Sequence, residues 1–186
     1  ACKDAGACFA PIMSKTKPAP LPPDTLIGGY RVVRLLASGG FGLVYLALDP
    51  AGLKVALKEY LPAALALRAP GELLPVVPPE KLSLYRLGLK SFFEEGRALA
   101  QIAHPSVVGV QHFFRENETV YMVMDLLEGA SLQEFIVAAR TLNQKKILRE
   151  ATIRSLFDEL LRGLRIVHQH KMLHLDIKPA NVFITD

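Results

Sequence analysis

The sequence predicts an α+β fold: a five-stranded antiparallel sheet with one helix between its third and fourth strands, followed by a helical part. Three observations carry this. Val- and Leu-rich runs at Tyr30–Leu36, Gly42–Leu48 and Lys54–Glu59 are separated by turn residues, and two more, Val107–Phe114 and Thr119–Leu126, flank Arg115-Glu116-Asn117-Glu118. Glu95, Leu99 and Ile102 fall at i, i+4 and i+7, on one face of a helix. Beyond Leu132 the spacing turns helical, most strongly for Ile153, Leu156, Phe157, Leu160, Leu161, Leu164 and Val167.

Taken in order, residues 1 to about 25 are proline-rich and aperiodic, and read as a flexible lead-in. Within them Met13-Ser14-Lys15-Thr16-Lys17 reads as a natural start, so residues 1 to 12 are expected to be upstream sequence. Ser38-Gly39-Gly40 turns the first hairpin, where glycine lets the backbone bend tightly, and Asp49-Pro50-Ala51-Gly52 turns the next. Residues 61 to 82 carry several prolines and read as an irregular connection with short helical pieces. His104-Pro105 ends the helix that follows, because the residue before proline is pushed out of helical geometry. Further helices run from Leu132 to about Arg140 and from about Ala151 to His170, and a short strand precedes Asp186. The expected division is 1–25, 26–126 and 127–186.

Composition narrows the function classes. With 186 residues and 51% hydrophobic content, the chain can bury a core, which excludes a disordered chain. The net charge of +4 is spread rather than blocked, so a nucleic-acid footprint is not expected. Cys2 and Cys8 both lie in the lead-in without a nearby histidine, and the five histidines show no zinc spacing. A cysteine-free core, no membrane segment and no signal-like start give a cytoplasmic expectation. Oligomeric state is left open.

The chemistry lies in three segments. Leu36-Ala37-Ser38-Gly39-Gly40-Phe41-Gly42-Leu43-Val44 is strand, glycine turn, strand, and glycine amides can face phosphate oxygens. Alone, Gly39-x-x-Gly42 is an ordinary turn. Val55-Ala56-Leu57-Lys58 places one lysine at the end of an apolar strand, and His174-Leu175-Asp176-Ile177-Lys178-Pro179-Ala180-Asn181 puts an acid, a base and an amide in one loop. Alone, that loop is a polar turn after a long helix. Together with Phe93-Glu94-Glu95-Gly96-Arg97 and His104-Pro105-Ser106-Val107-Val108, in this order, they resemble the bacterial serine/threonine protein kinases of eukaryotic-like type, from about Leu26 to Asp186.

The resemblance implies a protein-kinase-like fold with an incomplete helical C-lobe, and an ATP- and Mg2+-dependent enzyme acting on Ser/Thr hydroxyls of a protein substrate. Lys58 would grip the α- and β-phosphates and Glu95 would hold Lys58 by an ion pair, with Glu94 a competing assignment. Ser38, Gly39, Gly40, Phe41 and Gly42 would cover the phosphates. Leu36, Val44 and Ala56 would roof the adenine, Phe183 would floor it, Met124 would be the gatekeeper, and Asp125 and Leu127 would lie in the hinge. Asp176 would accept the hydroxyl proton, Lys178 would neutralise the γ-phosphate, and Asn181 would hold magnesium. His174 is expected to pack between lobes, whereas His168 and His170 complement the dipole of the helix they end.

Two substitutions and one absence depart from the family pattern. Ala37 stands where the first loop glycine is expected, and weakens ATP binding if positive φ is required there. Leu175 replaces the arginine that would pair with an activation-loop phosphate. No Asp-Phe-Gly occurs before Asp186. The expectation is therefore the N-terminal part of a longer kinase, incompetent by itself, with a truncated pseudokinase that binds nucleotide or protein as the alternative. A non-kinase phosphotransferase of the same fold is disfavoured by Lys178-Pro179.

Overall fold

Hydrogen-bond pairing of alternating branched and aromatic residues builds one six-stranded antiparallel sheet, β1 (Leu26–Ile27), β2 (Tyr30–Ser38), β3 (Gly42–Leu48), β4 (Lys54–Tyr60), β5 (Val110–Glu116) and β6 (Thr119–Asp125). The spatial order is β1-β2-β3-β4-β6-β5. This computed structural model describes residues 17–141 and 149–185; the expectations for Cys2, Cys8 and the Met13 start lie outside them. The sixth strand was not expected. It is a two-residue edge, Ile27 opposite Tyr30, too short to leave an alternating pattern. The β5–β6 hairpin turns at Asn117 and Glu118, both at positive φ (49° and 58°), the backbone that matches strand twist in two-residue loops.

The helix between β4 and β5, α1, spans Leu82–Leu99, beginning where the irregular 61–82 connection was expected to end. A 3-10 turn at Pro79–Lys81 leads into it, and proline is tolerated there because its missing N–H has no helical partner to lose. Tyr85, Phe92 and Gly96 form its buried face, while Ile102 is buried beyond the helix end rather than on it. Gly88, the poorest helix former in its middle, lies directly against the Tyr60 hydroxyl, and that close packing is why the pattern reads weakly there.

Register sorts the sheet into two faces. Val44, Lys58 and Met122 are mutual cross-strand partners, as are Leu46, Ala56 and Met124. This face receives α1: the Phe93 and Phe113 rings meet edge-on at 4.7 Å, and Gly96 lies against Met122. Tyr45, Leu57, Glu59, Tyr121 and Val123 point to the other face and are fully buried. Residues 17–25 and the 61–78 connection bond to that face. The lead-in expectation is corrected over 17–25: Pro18 and Leu21 are buried, and the Leu21 amide donates to the Tyr45 hydroxyl at 3.1 Å. An apolar side chain among prolines is enough to seat a segment that has no periodicity of its own.

The remainder comprises β7 (Ala130–Ser131), α2 (Leu132–Thr141), α3 (Glu150–Gln169) and β8 (Phe183–Ile184), with β7 and β8 forming a small antiparallel sheet. α2 starts with a reciprocal cap. The Ser131 amide and hydroxyl donate to Glu134 Oε2 (2.8 and 2.7 Å), and the Glu134 amide donates to Ser131 Oγ (3.2 Å). α3 meets the turn after α1 through Ser106, whose hydroxyl donates to Glu159 at 3.2 Å. Ile153, Phe157 and Leu161 on α3 stay exposed, so its apolar stripe is only partly used. No helix among the described residues is long and apolar enough to cross a membrane.

Gly42 carries a geometric demand that can be tested. A Cβ there would run into the Glu59 carbonyl and lie 2.9 Å from the Leu61 amide. Gly42→Ala is therefore expected to cost about 2 kcal/mol or more of stability, read as a lower urea midpoint with unchanged slope. A parental midpoint would show that the two backbones need not approach so closely.

Candidate functional site

The register of β3, β4 and β6 sets the upper wall of the site. Val44, Ala56, Lys58 and Met124 lie on the α1 face, Ala56 nearly buried at 7% exposure and the other three half-buried. Leu36 sits at a β-bulge between Leu35 and Ala37 and is exposed, so it is the least enclosed of the residues expected in the roof. Ser38 ends β2; Gly39 and Gly40 are open, with nothing within 4 Å of the position a Cβ would take. Phe41 is 71% exposed at the tip of the turn. The Gly39 amide donates to the Gly42 carbonyl at 2.9 Å, closing the turn. Ala37 pairs with Val44 in ordinary extended geometry and is not among the positive-φ residues, so the concern about its replacing glycine does not arise.

Lys58 is where the sequence expectation and the geometry part. Its ammonium lies over the Phe92 ring, 5.4 Å from the centroid, a cation–π contact. Among the described residues it makes no ion pair; Glu95 is exposed and unpaired with it, and Glu94 forms a loose ion pair with Lys90 at 3.8 Å. Phe92 is the functional neighbour that sequence reading missed. The signal was available: Phe92 lies three residues before Glu95, on the adjoining part of one helix face. Burial drives the large ring inward and leaves the carboxylate at the rim.

The lower wall is built by the segment after α3. Asp176, Lys178 and Asn181 come together there, all exposed. Lys178 Nζ lies 2.9 Å from Asp176 Oδ2. Asn181 Nδ2 donates to the same oxygen at 2.8 Å and to the Asp176 carbonyl at 2.9 Å. Those donors hold the Asp176 carboxyl below the usual range, Lys178 contributing most and Asn181 next. The amide nitrogen of Asn181 is thereby committed and its side-chain oxygen is left as an acceptor or metal-ligating atom. Leu175 is 88% exposed at φ 58°, an unusual backbone for a branched residue, and such strain clusters at functional loops. His174 is corrected: it is exposed rather than packed between lobes, and its Nδ1 accepts the Asp176 amide at 3.3 Å. His170 Nδ1 lies 3.0 Å from the Ile166 carbonyl, consistent with its expected place at the end of α3.

Between the two walls run the residues expected as hinge and floor. Asp125 ends β6 exposed, its amide donating to the Gly109 carbonyl at 3.0 Å and its carboxylate accepting from Gln111 at 2.6 Å. Leu127 is half-buried, and Phe183, at the start of β8, is 46% exposed. A separate hollow of about 410 Å³ opens between the glycine turn and α1, lined by Phe41, Tyr60, Leu65, Leu84, Leu87 and Gly88 among others. Lys58, Ala56, Met124 and Phe183 do not line it, so it is distinct from the slot expected for a nucleotide.

Comparison with known proteins decides the family. The protein kinase domain model matches residues 30–186. The chain belongs to the protein kinase family. The kinase domain is 30% identical over 161 residues to the serine/threonine-protein kinase PknD of Chlamydia trachomatis, covering 83% of this chain and 15% of that protein. It is 29% identical over 158 residues to the serine/threonine-protein kinase ssn3 of Aspergillus terreus, covering 84% of this chain and 33% of that protein. Among solved structures, the apo form of PpkA-294 superposes with a TM-score of 0.78 at 31% identity, over 90% of this chain and 58% of that one. The kinase domain of PknI from M. tuberculosis has the same fold, with a TM-score of 0.65 at 22% identity over 89% and 58%. The antiparallel sheet with its helix, followed by a few helices, is thus the kinase fold, and the chain spans only a fraction of the curated relatives it matches.

The Asp176 bonding makes a titration prediction. Its carboxyl should titrate below an ordinary aspartate by carbon-13 NMR, and Lys178→Ala should move the midpoint upward. Because the folded value is depressed, the contribution of this group to stability is present above the unfolded midpoint and lost as pH falls through the folded one. An unmoved midpoint in Lys178→Ala would mean that the contact does not persist in solution.

Proposed function

We propose that this chain carries the nucleotide site and catalytic loop of a serine/threonine protein kinase, acting within a longer protein. The observation that supports it most is the Asp176–Lys178–Asn181 cluster, a carboxylate oriented by an ammonium and an amide within one short loop. In this reading Asp176 takes the proton of a substrate Ser or Thr hydroxyl as its oxygen attacks the γ-phosphorus of ATP and the bond to ADP breaks. Lys178 offsets charge on the transferred group, and Lys58 holds the α- and β-phosphates. Ala56, Val44 and Met124 supply the apolar slot for adenine.

Among the described residues no group of three or more His, Cys, Asp or Glu has metal-holding geometry. The residues present nonetheless suit magnesium, which takes few protein ligands and completes its shell from phosphates and water. Asn181 would hold it through the side-chain oxygen left free by the bonds of its nitrogen. When bound, magnesium would neutralise phosphate charge.

A second reading rests on Lys58. Its contact with Phe92 rather than Glu95 suits a module that binds nucleotide without turning it over. The two separate experimentally. Saturating ATP·Mg is expected to stabilise the chain by about 2.7 kcal/mol at one hundred times its dissociation constant, and Lys58→Met should abolish the shift. No shift in the parent would sink both readings. In the longer kinase, Asp176→Asn should retain nucleotide binding and lower phosphoryl transfer by about 10²–10⁴-fold; a parental rate in the variant would remove Asp176 as the base, and no transfer by either protein would favour the binding module.

Leu175 makes a further prediction. An exposed apolar side chain offers no partner to a phosphate, so replacing the Ser and Thr residues of the activation segment by Ala should leave the rate of the longer kinase within about twofold. A large loss would show that another cation has taken over the role.

A further inference from the structure

Immediately beside Lys58 on β4, and pointing to the opposite face, Glu59 is fully buried and ion-paired to the almost fully buried Arg68. The pair is bidentate: Arg68 Nη1 donates to Oε1 at 2.6 Å and Nη2 to Oε2 at 2.8 Å. The carboxylate also reaches both neighbouring strands. Tyr45 on β3 donates to Oε2 at 2.8 Å and Tyr121 on β6 donates to Oε1 at 2.9 Å. Arg68 Nε donates to the Ala19 carbonyl at 2.9 Å, the Ala19 amide donates back to the Arg68 carbonyl at 3.0 Å, and the Leu21 amide donates to the Tyr45 hydroxyl at 3.1 Å. One carboxylate therefore joins three adjacent strands, the 61–78 connection and the 17–25 segment. It does so in the same register layer that aligns Leu43, Glu59 and Tyr121, one step along from Val44, Lys58 and Met122.

We infer that Glu59 and Arg68 are positioning residues for Lys58, fixing β4 between β3 and β6 and making the aim of Lys58 depend on the 17–25 segment. The inference rests on the reading of Lys58 as the phosphate-binding lysine. Apolar residues of similar volume across the whole cluster, with Phe in place of Tyr45 and Tyr121, would fill this space with little loss, and often with a gain, of stability. What they would not do is set the strand by directional bonds from both sides, as a carboxylate accepting four donors does. Lys58 needs such a setting, because among the described residues only an aromatic face, with no directional bond, holds its ammonium.

The test uses the 186-residue chain with Glu59→Met and Arg68→Leu combined, which removes both charges together. The double variant also takes the acceptor from the buried Tyr45 and Tyr121 hydroxyls. It is therefore expected to unfold cooperatively at a lower midpoint, with amide exchange in β4 about tenfold faster than in the parent and exchange in α3 raised only by the loss of overall stability. Its ATP·Mg affinity should fall about tenfold, a loss that a space-filling role would not produce. A folded double variant with parental exchange and parental affinity would overturn the inference. If the double variant fails to fold, Tyr121→Phe removes one strand-to-strand bond at almost constant volume, and several-fold changes in both readouts are expected. Parental values in Tyr121→Phe would equally overturn it. Lys58→Met serves as the control that loses affinity while keeping parental exchange. A parent that binds no ATP·Mg would defeat the nucleotide-site reading, and β4 exchange would then decide the positioning role by itself.

Discussion

The buried Glu59–Arg68 pair is the constraint around which the sheet is arranged. Two charges removed from water cost several kcal/mol each, and leaving either without its partner costs about 3–5 kcal/mol. Every available donor is accordingly turned inward. Tyr45 and Tyr121 place their hydroxyls on the carboxylate, and Arg68 uses its remaining nitrogen on the Ala19 carbonyl. Burial and the negative charge of Glu59 push both tyrosine hydroxyls well above their ordinary range, so they act as donors at any physiological pH. Burial by itself would lower the arginine, but its hydrogen bonds to Glu59 and the charge beside it prevail and keep it a cation. The face of the sheet away from α1 thus needs no helix to cover it. A proline-rich segment and an irregular connection suffice, because polar anchors fix them where periodic apolar contacts are lacking.

That arrangement divides the two walls of the site by how they are held. Val44, Ala56 and Lys58 stand on strands paired on both sides, with a packed layer above and a helix below. Asp176, Lys178 and Asn181 have no such support. All are exposed, Leu173, Leu175 and Ile177 beside them are exposed as well, and the cluster keeps its shape through short local bonds. Screening by water makes such exposed ion pairs weak in themselves. Their value here is geometric, since one carboxylate oxygen is occupied and the other is left to accept.

Legibility in the sequence followed the same division. The β2–β3 and β5–β6 hairpins, Lys58, α3 and the Asp176–Asn181 loop could be read because each depends on local chemistry: turn residues, alternation, helical spacing, a compact motif. The six-residue span from Asp176 to Asn181 brings its members together almost regardless of what surrounds it. Arg68 could not be read. It lies among prolines and leucines without period, and its partner is nine residues away on a strand whose alternation gives no reason for an acid to face inward. No start could be assigned to α1 from sequence for a related cause, a glycine in mid-helix that only the Tyr60 side chain explains. Glu95 was read by motif, and motif does not encode which neighbour of Lys58 wins the space beneath it.

The contest at Lys58 is one of burial against charge. Phe92 is 6% exposed, and burying a ring of that size contributes about 2 kcal/mol, more than an exposed lysine–glutamate pair would return. The aromatic ring therefore takes the place under the ammonium and Glu95 remains in water. On the proposed reading of Lys58 as the phosphate-binding lysine, the balance changes when an anion enters the cleft. A polyphosphate brings several negative charges to a half-buried cation that has no ion pair among the described residues, and the interaction strengthens as water leaves. Lys58 is thus a cation held in place by a neutral surface, with its charge uncommitted. That is the condition in which the precise setting of β4 matters most, because direction must come from the strand rather than from a partner on the helix.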